Sequence, residues 1–598
     1  MAQRKTPSPE SGNGQRYDPL AAPRLLVMVA ERDAGLRARA TGVTSAVGTD
    51  TSDINDLLGE NGATMRPLFG DTEERVQARA AAPAIPGTEA PADLDLYYYV
   101  EAPEDRLDDL AEQLAALPEV AGAYVTPRPE PAAVEAPPRT RAAKGPATEQ
   151  PPQRVNTMAA TTVEAPPITV DFTARQPYLD AAPTGIDARY AWTLPGGRGA
   201  GVEVIDCEGA WRFTHEDLLV NQAGVIRNPT TDLGWRNHGT AVVGVVGGDV
   251  NAFGITGIAP EARVRGCSIF DTGGLPGAIT AAADRLRPGD IILIEVQYGH
   301  PSKGYTTVEW WPADFAAIRY AVSRGIIVVE AAGNGGNNLD DPAYNTPLSG
   351  FPATWRNPFN PVNPNSGAVM IGAGNPPSGT HGRTQHPTFG EVYFDRARCF
   401  FSNYGSRIDC QGWGWEVTST GYGDLQGGSS EDLWYTDQFS GTSSASPTVV
   451  GALACVQGVL RRAGRIPLSP ARARELLRAT GSPQQDAPGR PGSQRIGNRP
   501  NLRQLIPLAL QTREWVGVQF TGTVPANATQ RWFTFNWPAH WHVVWTVVPV
   551  TPRLGGPQIS HSVQVERATD QFITYWISVT NHTPEPVNIE ARYAVLGW

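Results

Sequence analysis

The chain of 598 residues is 40% hydrophobic and 18% charged, which is enough apolar material for several packed domains. Its formal net charge of −11 argues against a nucleic acid or an anionic membrane as the main partner. Five cysteines without a C-x-x-C pair exclude a dense disulfide framework and disfavour a structural zinc site. No apolar run approaches the roughly 20 residues that cross a bilayer, and LLVMVA near the N-terminus is too short for a signal sequence. We therefore expect a soluble protein without a membrane span or a recognisable export signal.

The first predicted unit is a small α+β domain over residues 24–127, preceded by a polar segment, 1–23, that we expect to be disordered. RLLVMVAE, DLYYYVEA and AGAYVTP have the composition of strands, and EDRLDDLAEQLAALPEV carries an apolar stripe with helical spacing. The Ala- and Pro-rich stretch 70–92 is expected to be a loop. Residues 128–171, also rich in Pro and Ala, are expected to form an extended linker.

The largest predicted unit covers residues 172–508, where apolar runs alternate with helical patterns. GVEVI, IILIEV, GIIVV and AVMIGAG have the composition of buried strands, and ADFAAIRYAVSRG and ARARELLRATG that of helices. This alternation predicts an α/β domain whose parallel sheet is covered by helices on both faces. In residues 509–598, strand-like runs follow one another with only turns between them, which predicts a C-terminal antiparallel β-sandwich.

The segment QFSGTSSASPTVVGALACVQGVL places Ser443 at the start of an apolar helical stripe. A serine at a helix N-terminus is often a simple cap for the free backbone N–H groups. The same N–H groups also stabilise the anion that forms when a serine attacks a carbonyl. Ser443 is therefore either an N-cap or a nucleophile, and the choice depends on whether a base accompanies it.

Two further segments supply a candidate base and a carboxylate. His238 precedes Gly-Thr and an apolar helical segment in NHGTAVVGVVGG, and a lone histidine of this kind can also be purely structural. Asp206 ends the apolar run GVEVID, at the strand end where α/β sheets commonly place functional groups.

Together these segments resemble the subtilisin-like serine proteases, or subtilases (peptidase family S8), whose triad follows the chain order Asp, His, Ser. GIDARYAW, NAFGITGIAPEARVRG and IGNRPNLRQLI resemble further segments of that family, so the similarity covers about residues 172–506. The resemblance implies that Ser443 is the nucleophile, His238 the general base and Asp206 the acid that orients the base. It also implies that Asn334, in the segment AAGN, donates its side-chain amide to the oxyanion.

The segment IILIEVQYGH resembles the substrate-binding strand of the family, with Gln297, Tyr298 and Gly299 in place of the usual Ser-Leu-Gly. We expect its backbone to pair with an extended substrate, and the larger Tyr298 to reshape the S1 and S4 pockets. Glu295 and Glu330 lie on two apolar strands that should be near neighbours. Either they line a substrate pocket, where they read a basic side chain or shift activity toward acid pH, or they pair with a buried Arg or with backbone N–H groups.

Several smaller features leave alternatives open. Cys207 stands where the family usually has Ser or Thr, and it is either a redox-sensitive thiol or a small buried filler. Cys399 and Cys410 flank a possible hairpin and are candidates for a disulfide. His540 and His542 form an H-x-H pattern, which is a weak metal signal. We expect no metal and no cofactor; structural calcium is not readable from the sequence.

The resemblance extends, by pattern, to the N-terminal unit, which is similar to the ferredoxin-like propeptide that assists folding of subtilases and then inhibits them. It implies cleavage within or just after the linker, at about residues 127–175. The resulting expectation is a serine endopeptidase, made as a zymogen, that acts on polypeptides and has its own N-terminal domain as a partner. The alternative is a binding or assembly protein that cleaves only itself and binds carbohydrate or protein through its C-terminal β domain.

Overall fold

A computed structural model describes residues 22–80, 84, 93–133, 168–511, 515–551, 553 and 555–596. The predicted disordered N-terminus up to residue 21 and the predicted linker over 134–167 lie outside these ranges. Within them the chain forms an N-terminal α+β unit, a central α/β unit and a C-terminal β unit.

The N-terminal unit is a four-stranded antiparallel sheet with two of its three helices packed on one face. Its strands and helices are β1 (Leu26–Ala30), β2 (Leu36–Arg39), β3 (Gly42–Ser45), α1 (Ser52–Glu60), β4 (Thr64–Pro67), α2 (Glu73–Ala80), β5 (Tyr97–Glu101), α3 (Leu107–Ala115) and β6 (Val120–Val125). The sheet has the order β4-β5-β1-β6, and β2 and β3 form a separate hairpin. The predicted strands and the predicted helix, α3, are present, but α2 lies in the stretch that was expected to be a loop. Its sequence, EERVQARA, consists mostly of strong helix formers and contains no proline, and the burial of Val76 further stabilises the helix.

The two faces of this sheet have different partners because side chains alternate along a strand. Met28 and Tyr98 pack with α1 and α3, whereas Val27, Val29 and Tyr99 belong to the core of the central unit. The N-terminal unit therefore shares part of its hydrophobic core with the domain that follows it.

The central unit is built on seven parallel strands. Its elements are α4 (Ala188–Ala191), β8 (Glu203–Glu208), β9 (Gln222–Ile226), α5 (Leu233–Gly247), β10 (Arg263–Ser268), α6 (Gly274–Arg285), β11 (Ile291–Ile294), β12 (Val296–His300), β13 (Gly304–Thr306), α7 (Pro312–Ser323), β14 (Ile327–Ala331), β15 (Val369–Gly374), β16 (Cys410–Trp413), β17 (Val417–Thr420), β18 (Tyr435–Phe439), α8 (Thr442–Arg462), α9 (Pro470–Ala479) and α10 (Leu502–Ala509). A short strand that precedes them, β7 (Pro129–Pro131), pairs with β12.

The sheet has the order β16-β15-β14-β11-β8-β10-β9, and the predicted parallel α/β architecture is confirmed. One core holds α5 and α8, and a second core, on the other face, holds α6 and α7. Helix α8 has the length and composition to cross a membrane, but its 18-residue apolar window is completely buried in the domain. Its apolar residues are thus explained by the core.

The C-terminal unit consists of two three-stranded antiparallel sheets packed face to face. Its strands are β19 (Trp515–Val524), β20 (Thr529–Pro538), β21 (Val543–Pro549), β22 (Ile559–Arg567), β23 (Phe572–Asn581) and β24 (Val587–Val595). The sheet orders are β19-β24-β21 and β20-β23-β22, and Trp537, Trp545 and Ile577 lie in the core between them. This is the sandwich that the succession of strand-like runs predicted.

The cysteines and histidines form none of the special sites that the sequence left open. All five cysteines are buried and free, so Cys399 and Cys410 are not joined in a disulfide. Cys207 pairs in register with Cys267 on β10 and lies in the core against α6, which fits a filler. In the described part of the chain, no three His, Cys, Asp or Glu residues, including His540 and His542, form a group that could hold a metal ion.

Candidate active site

The candidate nucleophile and base lie at the carboxyl edge of the central sheet, on the two helices that pack against its face. Ser443 is the second residue of α8, and His238 lies in the second turn of α5. Both side chains are buried, with 0% and 1% exposure. In the state described here, Oγ of Ser443 makes no hydrogen bond. Both side chains thus lie in a desolvated environment.

The carboxylate that contacts the base is Glu208, which corrects the assignment of Asp206 to this position. Nδ1 of His238 is 2.5 Å from Oε2 of Glu208. Asp206 instead accepts a hydrogen bond from Nε1 of Trp211, at 2.7 Å. Sequence reasoning missed both Glu208 and Trp211, although Glu208 is an acidic residue in an otherwise apolar stretch and carried a visible signal.

The geometry of β8 explains why the second carboxylate reaches the histidine. Because side chains alternate, Asp206 and Glu208 point to the same face of the sheet, the one that carries α5 and α8. Asp206 lies opposite Leu293 of β11 in the middle of the ladder, while Glu208 is two residues closer to the strand end. Helix α5 approaches so closely that a Cβ on Gly239 would lie 1.9 Å from Oε1 of Glu208. The glycine after His238 is therefore required for this contact.

Burial shapes the charge of the site. It raises the pKa of Asp206 well above the usual range of an aspartate, and the neighbouring Glu208 adds to the effect. Burial also raises the pKa of Glu208, but a histidine N–H donor favours its ionised form. Of these two carboxyls, Glu208 is thus the one equipped to carry the negative charge.

Asn334 and Ser443 form a pair of donors that is occupied by a carbonyl of the same chain. Nδ2 of Asn334 donates to the backbone oxygen of Ala132 at 2.6 Å, and the backbone N–H of Ser443 donates to it at 3.1 Å. Thr442 orients the Asn334 amide by donating to Oδ1 from both its backbone N and its Oγ1, each at 3.0 Å. Two N–H donors that converge on one carbonyl oxygen are the geometry that an oxyanion hole requires.

The segment that carries Ala132 runs through the site as an added strand. β7 pairs antiparallel with β12, with Glu130 opposite Gln297. Ala132 N–H donates to the backbone oxygen of Glu295 at 3.4 Å, and Tyr305 Oη donates to Oε2 of Glu130 at 2.6 Å. Residues 128–133 belong to the stretch that was predicted to be an extended linker; the chain is extended here, but it is held by the edge of β12.

The predicted roles of Gln297, Tyr298 and Gly299 need a shift in register, because the residue that faces Ala132 is Glu295. Gln297 bridges the bound segment and the oxyanion loop: its Nε2 donates to the Pro131 oxygen at 3.1 Å, and its Oε1 accepts from Asn334 N–H at 2.8 Å. Tyr298 does not line a pocket beside Ala132, since its ring is buried against Trp311 with 4.8 Å between centroids. Gly299 lies one residue beyond the paired stretch.

Glu295 and Glu330 are neighbours along the sheet but lie on opposite faces of it. Glu330 is in register with Ile294, so the next residue, Glu295, points to the other side. Glu330 accepts a hydrogen bond from Thr307 Oγ1 at 2.5 Å and lies 3.6 Å from the Arg407 guanidinium. These contacts favour ion pairing for Glu330 over a place in a substrate pocket, because the Arg407 network is buried.

Arg407 also binds Glu309 and Asp409, with N–O distances of 2.6 and 3.0 Å. Replacing it by Met leaves these carboxylates buried without their shared cation, and we expect the free energy of unfolding to fall by about 3–5 kcal/mol. Urea unfolding of a Ser443→Ala background, which prevents self-digestion, measures this. The matched control is Arg472→Met, which removes the exposed pair with Glu475 and should cost less than about 1 kcal/mol. Equal costs for the two variants would contradict a stabilising role of the network.

The chain is similar to known serine proteases in sequence and to solved structures in fold. The model of the Subtilase family, Peptidase_S8, matches residues 184–497, which are 314 of the 598 residues. The intracellular serine protease of Paenibacillus polymyxa is 28% identical over 282 residues, covering 46% of this chain and 71% of that protein. The thermophilic serine proteinase of Bacillus sp. (strain AK1) is 27% identical, covering 45% and 55% respectively. Fervidolysin from Fervidobacterium pennivorans superposes with a TM-score of 0.45 and 15% identity, over 96% of this chain and 70% of that one. The chain thus spans about half to two thirds of some of the relatives that it matches.

Proposed function

The chain belongs to the subtilase family, and from this premise we propose that it is a serine endopeptidase that is made as a zymogen and cleaves itself. The catalytic residues of the proposal are Ser443, His238, Glu208 and Asn334. The observation that carries it is the carbonyl of Ala132 between the two donors of the oxyanion hole.

The proposed reaction begins with attack of Ser443 Oγ on a peptide carbonyl, while His238 takes the hydroxyl proton. Asn334 Nδ2 and the Ser443 N–H stabilise the oxyanion, and Glu208 stabilises the imidazolium through Nδ1. The C–N bond then breaks, and His238 gives its proton to the leaving amine. Water hydrolyses the acyl-enzyme by the same steps, which restores the serine.

The bound segment supports a specific self-cleavage site, the Ala132–Ala133 bond. Ala132 occupies the place of the residue before the scissile bond, and Pro131, Glu130 and Pro129 occupy the three places before it. A Cβ on Gly441 would lie 2.3 Å from the Ala132 oxygen, so this glycine lets the chain approach closely. Only a small side chain is present at Ala132, and it is fully buried. A peptide with the sequence Pro-Glu-Pro-Ala is therefore a rational model substrate.

Contacts of the N-terminal unit support its role as an inhibitor that is tied to the cleft. Tyr124 Oη accepts a hydrogen bond from the Ala313 N–H at the start of α7, at 2.9 Å. Arg79 binds Asp284 of α6 through Nε, at 3.1 Å. Because β7 follows directly on this docked sheet, its chain fills the cleft until the unit leaves. Activity on other polypeptides then requires both cleavage and release.

The proposal predicts that the purified wild-type chain acquires a new N-terminus at Ala133, whereas Ser443→Ala stays uncut. N-terminal sequencing and intact mass measure both outcomes, and a serine-directed fluorophosphonate should label the wild type alone. A matched control is Ser482→Ala, a serine of a loop near α10 that lies outside the site. Processing in the Ser443→Ala chain, or a new N-terminus far from Ala133, would contradict the proposed bond.

A second candidate function is binding through the C-terminal unit, with proteolysis limited to the chain itself. It is favoured by the exposed rings of Phe533 and Phe535 on β20, beside Trp576 on β23. Arg531 stacks over Trp576 at 4.4 Å, which adds a cation to this surface. Turnover of an unrelated peptide by the processed protein, after removal of the N-terminal unit, distinguishes the two: repeated turnover supports the endopeptidase.

A further inference from the structure

Glu295 is a buried acid at the active site that has no role in the mechanism above. It lies between β11 and β12 with 0% exposure, and its backbone oxygen receives the N–H of Ala132. Within the described residues, neither oxygen of its carboxyl has a hydrogen-bond partner of good geometry. An acid that is buried without a partner at a reacting centre costs stability, and such a cost is typical of functional groups.

The groups that face this carboxyl come from two elements. From α8 they are the hydroxyls of Ser443 and Ser446, and from β8 they are the carboxyls of Asp206 and Glu208. The Ser446 hydroxyl donates its proton to the Thr442 oxygen at 2.7 Å, so toward Glu295 it can only accept. A neutral Glu295 carboxyl has one O–H that it can donate to the oxygen of Ser446. An ionised Glu295 carboxylate has no proton to donate, so its oxygen would face a lone pair of the Ser446 oxygen.

The excess of acidic groups in the site also favours the neutral form of Glu295. Three carboxyls lie together, and no Lys or Arg in the described ranges forms an ion pair with Asp206, Glu208 or Glu295. His238 contacts Glu208 and Trp211 donates to Asp206, so each of these two carboxyls has a partner that stabilises its anion, whereas the Glu295 carboxyl has no hydrogen-bond partner among the described residues. Burial, together with the charges of Asp206 and Glu208, raises the pKa of Glu295 well above its usual range.

We propose that Glu295 is a positioning residue for the nucleophile: as a neutral acid it leaves the Ser443 hydroxyl free to turn to His238, and as an anion it captures that hydroxyl. The inference rests on the proposed function, since it concerns the same serine. A neutral C=O is a weak acceptor, but a carboxylate forms a charge-assisted hydrogen bond that is about twice as strong. The anion would also oppose formation of a second negative charge on the oxyanion. Ionisation of Glu295 thus lowers the reactivity of Ser443, and protonation of Glu295 restores it.

The proposal predicts that activity falls on the alkaline side of the pH profile. Activity needs Glu295 protonated, so it is present below the raised pKa of Glu295 and is lost as the pH rises through it. Above that pKa, the active fraction falls about tenfold per pH unit. Ionisation of the Glu208–His238 pair limits activity on the acid side, and that limb does not involve Glu295.

The test compares the processed wild type with Glu295→Gln, using a fluorogenic peptide with the sequence Pro-Glu-Pro-Ala before the reporter. Gln keeps the shape, donates to Ser446 from its amide and cannot ionise. With both profiles normalised to their maxima, the alkaline limb of kcat should be absent in the variant or displaced by at least one pH unit, with KM little changed. Glu295→Ala should lose more kcat than Glu295→Gln, because only the amide fills the same space and can still donate to the Ser446 hydroxyl.

Glu330→Gln is the matched control, because it changes a buried glutamate on the neighbouring strand whose side chain lies on the other face. Its normalised profile should coincide with that of the wild type. Coincident alkaline limbs in wild type and Glu295→Gln would overturn the inference while leaving the protease intact. Absence of any hydrolysis or Ser443 labelling in the wild type would instead overturn the proposed function.

A second measurement needs only the native chain, in case Glu295→Gln does not fold. The rate of fluorophosphonate labelling of Ser443 should rise with pH as His238 loses its proton and then fall as Glu295 ionises. A rate that rises to a plateau and stays there until the protein unfolds would overturn the inference.

Discussion

Glu208→Gln is expected to lower kcat by about 10⁴, because an amide cannot hold the Nδ1–H of His238 or stabilise its cation. The side chain keeps its size, and the 2.5 Å contact with His238 then holds the imidazole in the wrong tautomer. KM should change little, since Glu208 is buried and does not touch the bound segment. Steady-state kinetics on the Pro-Glu-Pro-Ala reporter peptide measure the effect, and processing of the chain should slow in parallel.

Asp206→Asn is the matched control for this prediction. Asp206 accepts a hydrogen bond from Trp211 Nε1 and burial raises its pKa, and because the side-chain oxygen of Asn can accept the same hydrogen bond, an amide is a close substitute. We expect kcat of Asp206→Asn to change less than about tenfold, which is far less than the loss of about 10⁴ that is expected for Glu208→Gln. The opposite ranking, with Asp206→Asn much more damaging than Glu208→Gln, would restore Asp206 as the orienting acid.

Asn334→Ala is expected to lower kcat by about 10²–10³, since it removes one of the two donors to the oxyanion. The Ser443 N–H remains, so the loss is partial. KM should rise only slightly, because the substrate can still pair with β12 as β7 does. Gln297 also still donates to the carbonyl of the second residue before the scissile bond, which is Pro131 in the bound segment. Single-turnover kinetics on the same peptide separate the chemical step from binding.

Thr442→Val serves as the control for Asn334. It removes the Oγ1 donor to the Asn334 amide but keeps the backbone donor, so a smaller loss is expected. Labelling by the fluorophosphonate should persist in both variants, because the nucleophile and its base are intact. An unchanged kcat in Asn334→Ala would show that the amide does not serve the transition state.

Much of the site was readable from local patterns. Ser443, His238 and Asn334 each stand in a short motif next to a helix start or a strand end, and the structure brings all three to one edge of the sheet. Their catalytic roles stay predictions. The choice between Asp206 and Glu208 was not readable, because both lie on the same face of β8 and only the position of α5 decides which one meets the histidine.

The pairing of Glu295 with Glu330 shows a second limit. The sequence correctly indicated that their strands are neighbours, since both are buried parallel strands. The alternation of side chains in the actual register sends one carboxyl to Ser443 and the other to Arg407. A difference of one residue in register separates a shared site from two unrelated ones.

The sequence by itself determined the parallel α/β architecture, the C-terminal sandwich and the family, because apolar periodicity and short motifs are local properties of the chain. Only the tertiary structure decided which carboxylate contacts His238, which face Glu295 points to, and that the Ala132 carbonyl lies between Asn334 and Ser443. These depend on the registers of β8, β11 and β12 and on the path of a segment more than 300 residues before Ser443 in the chain. Contacts of that kind are set by the packing of distant elements, which no local pattern records.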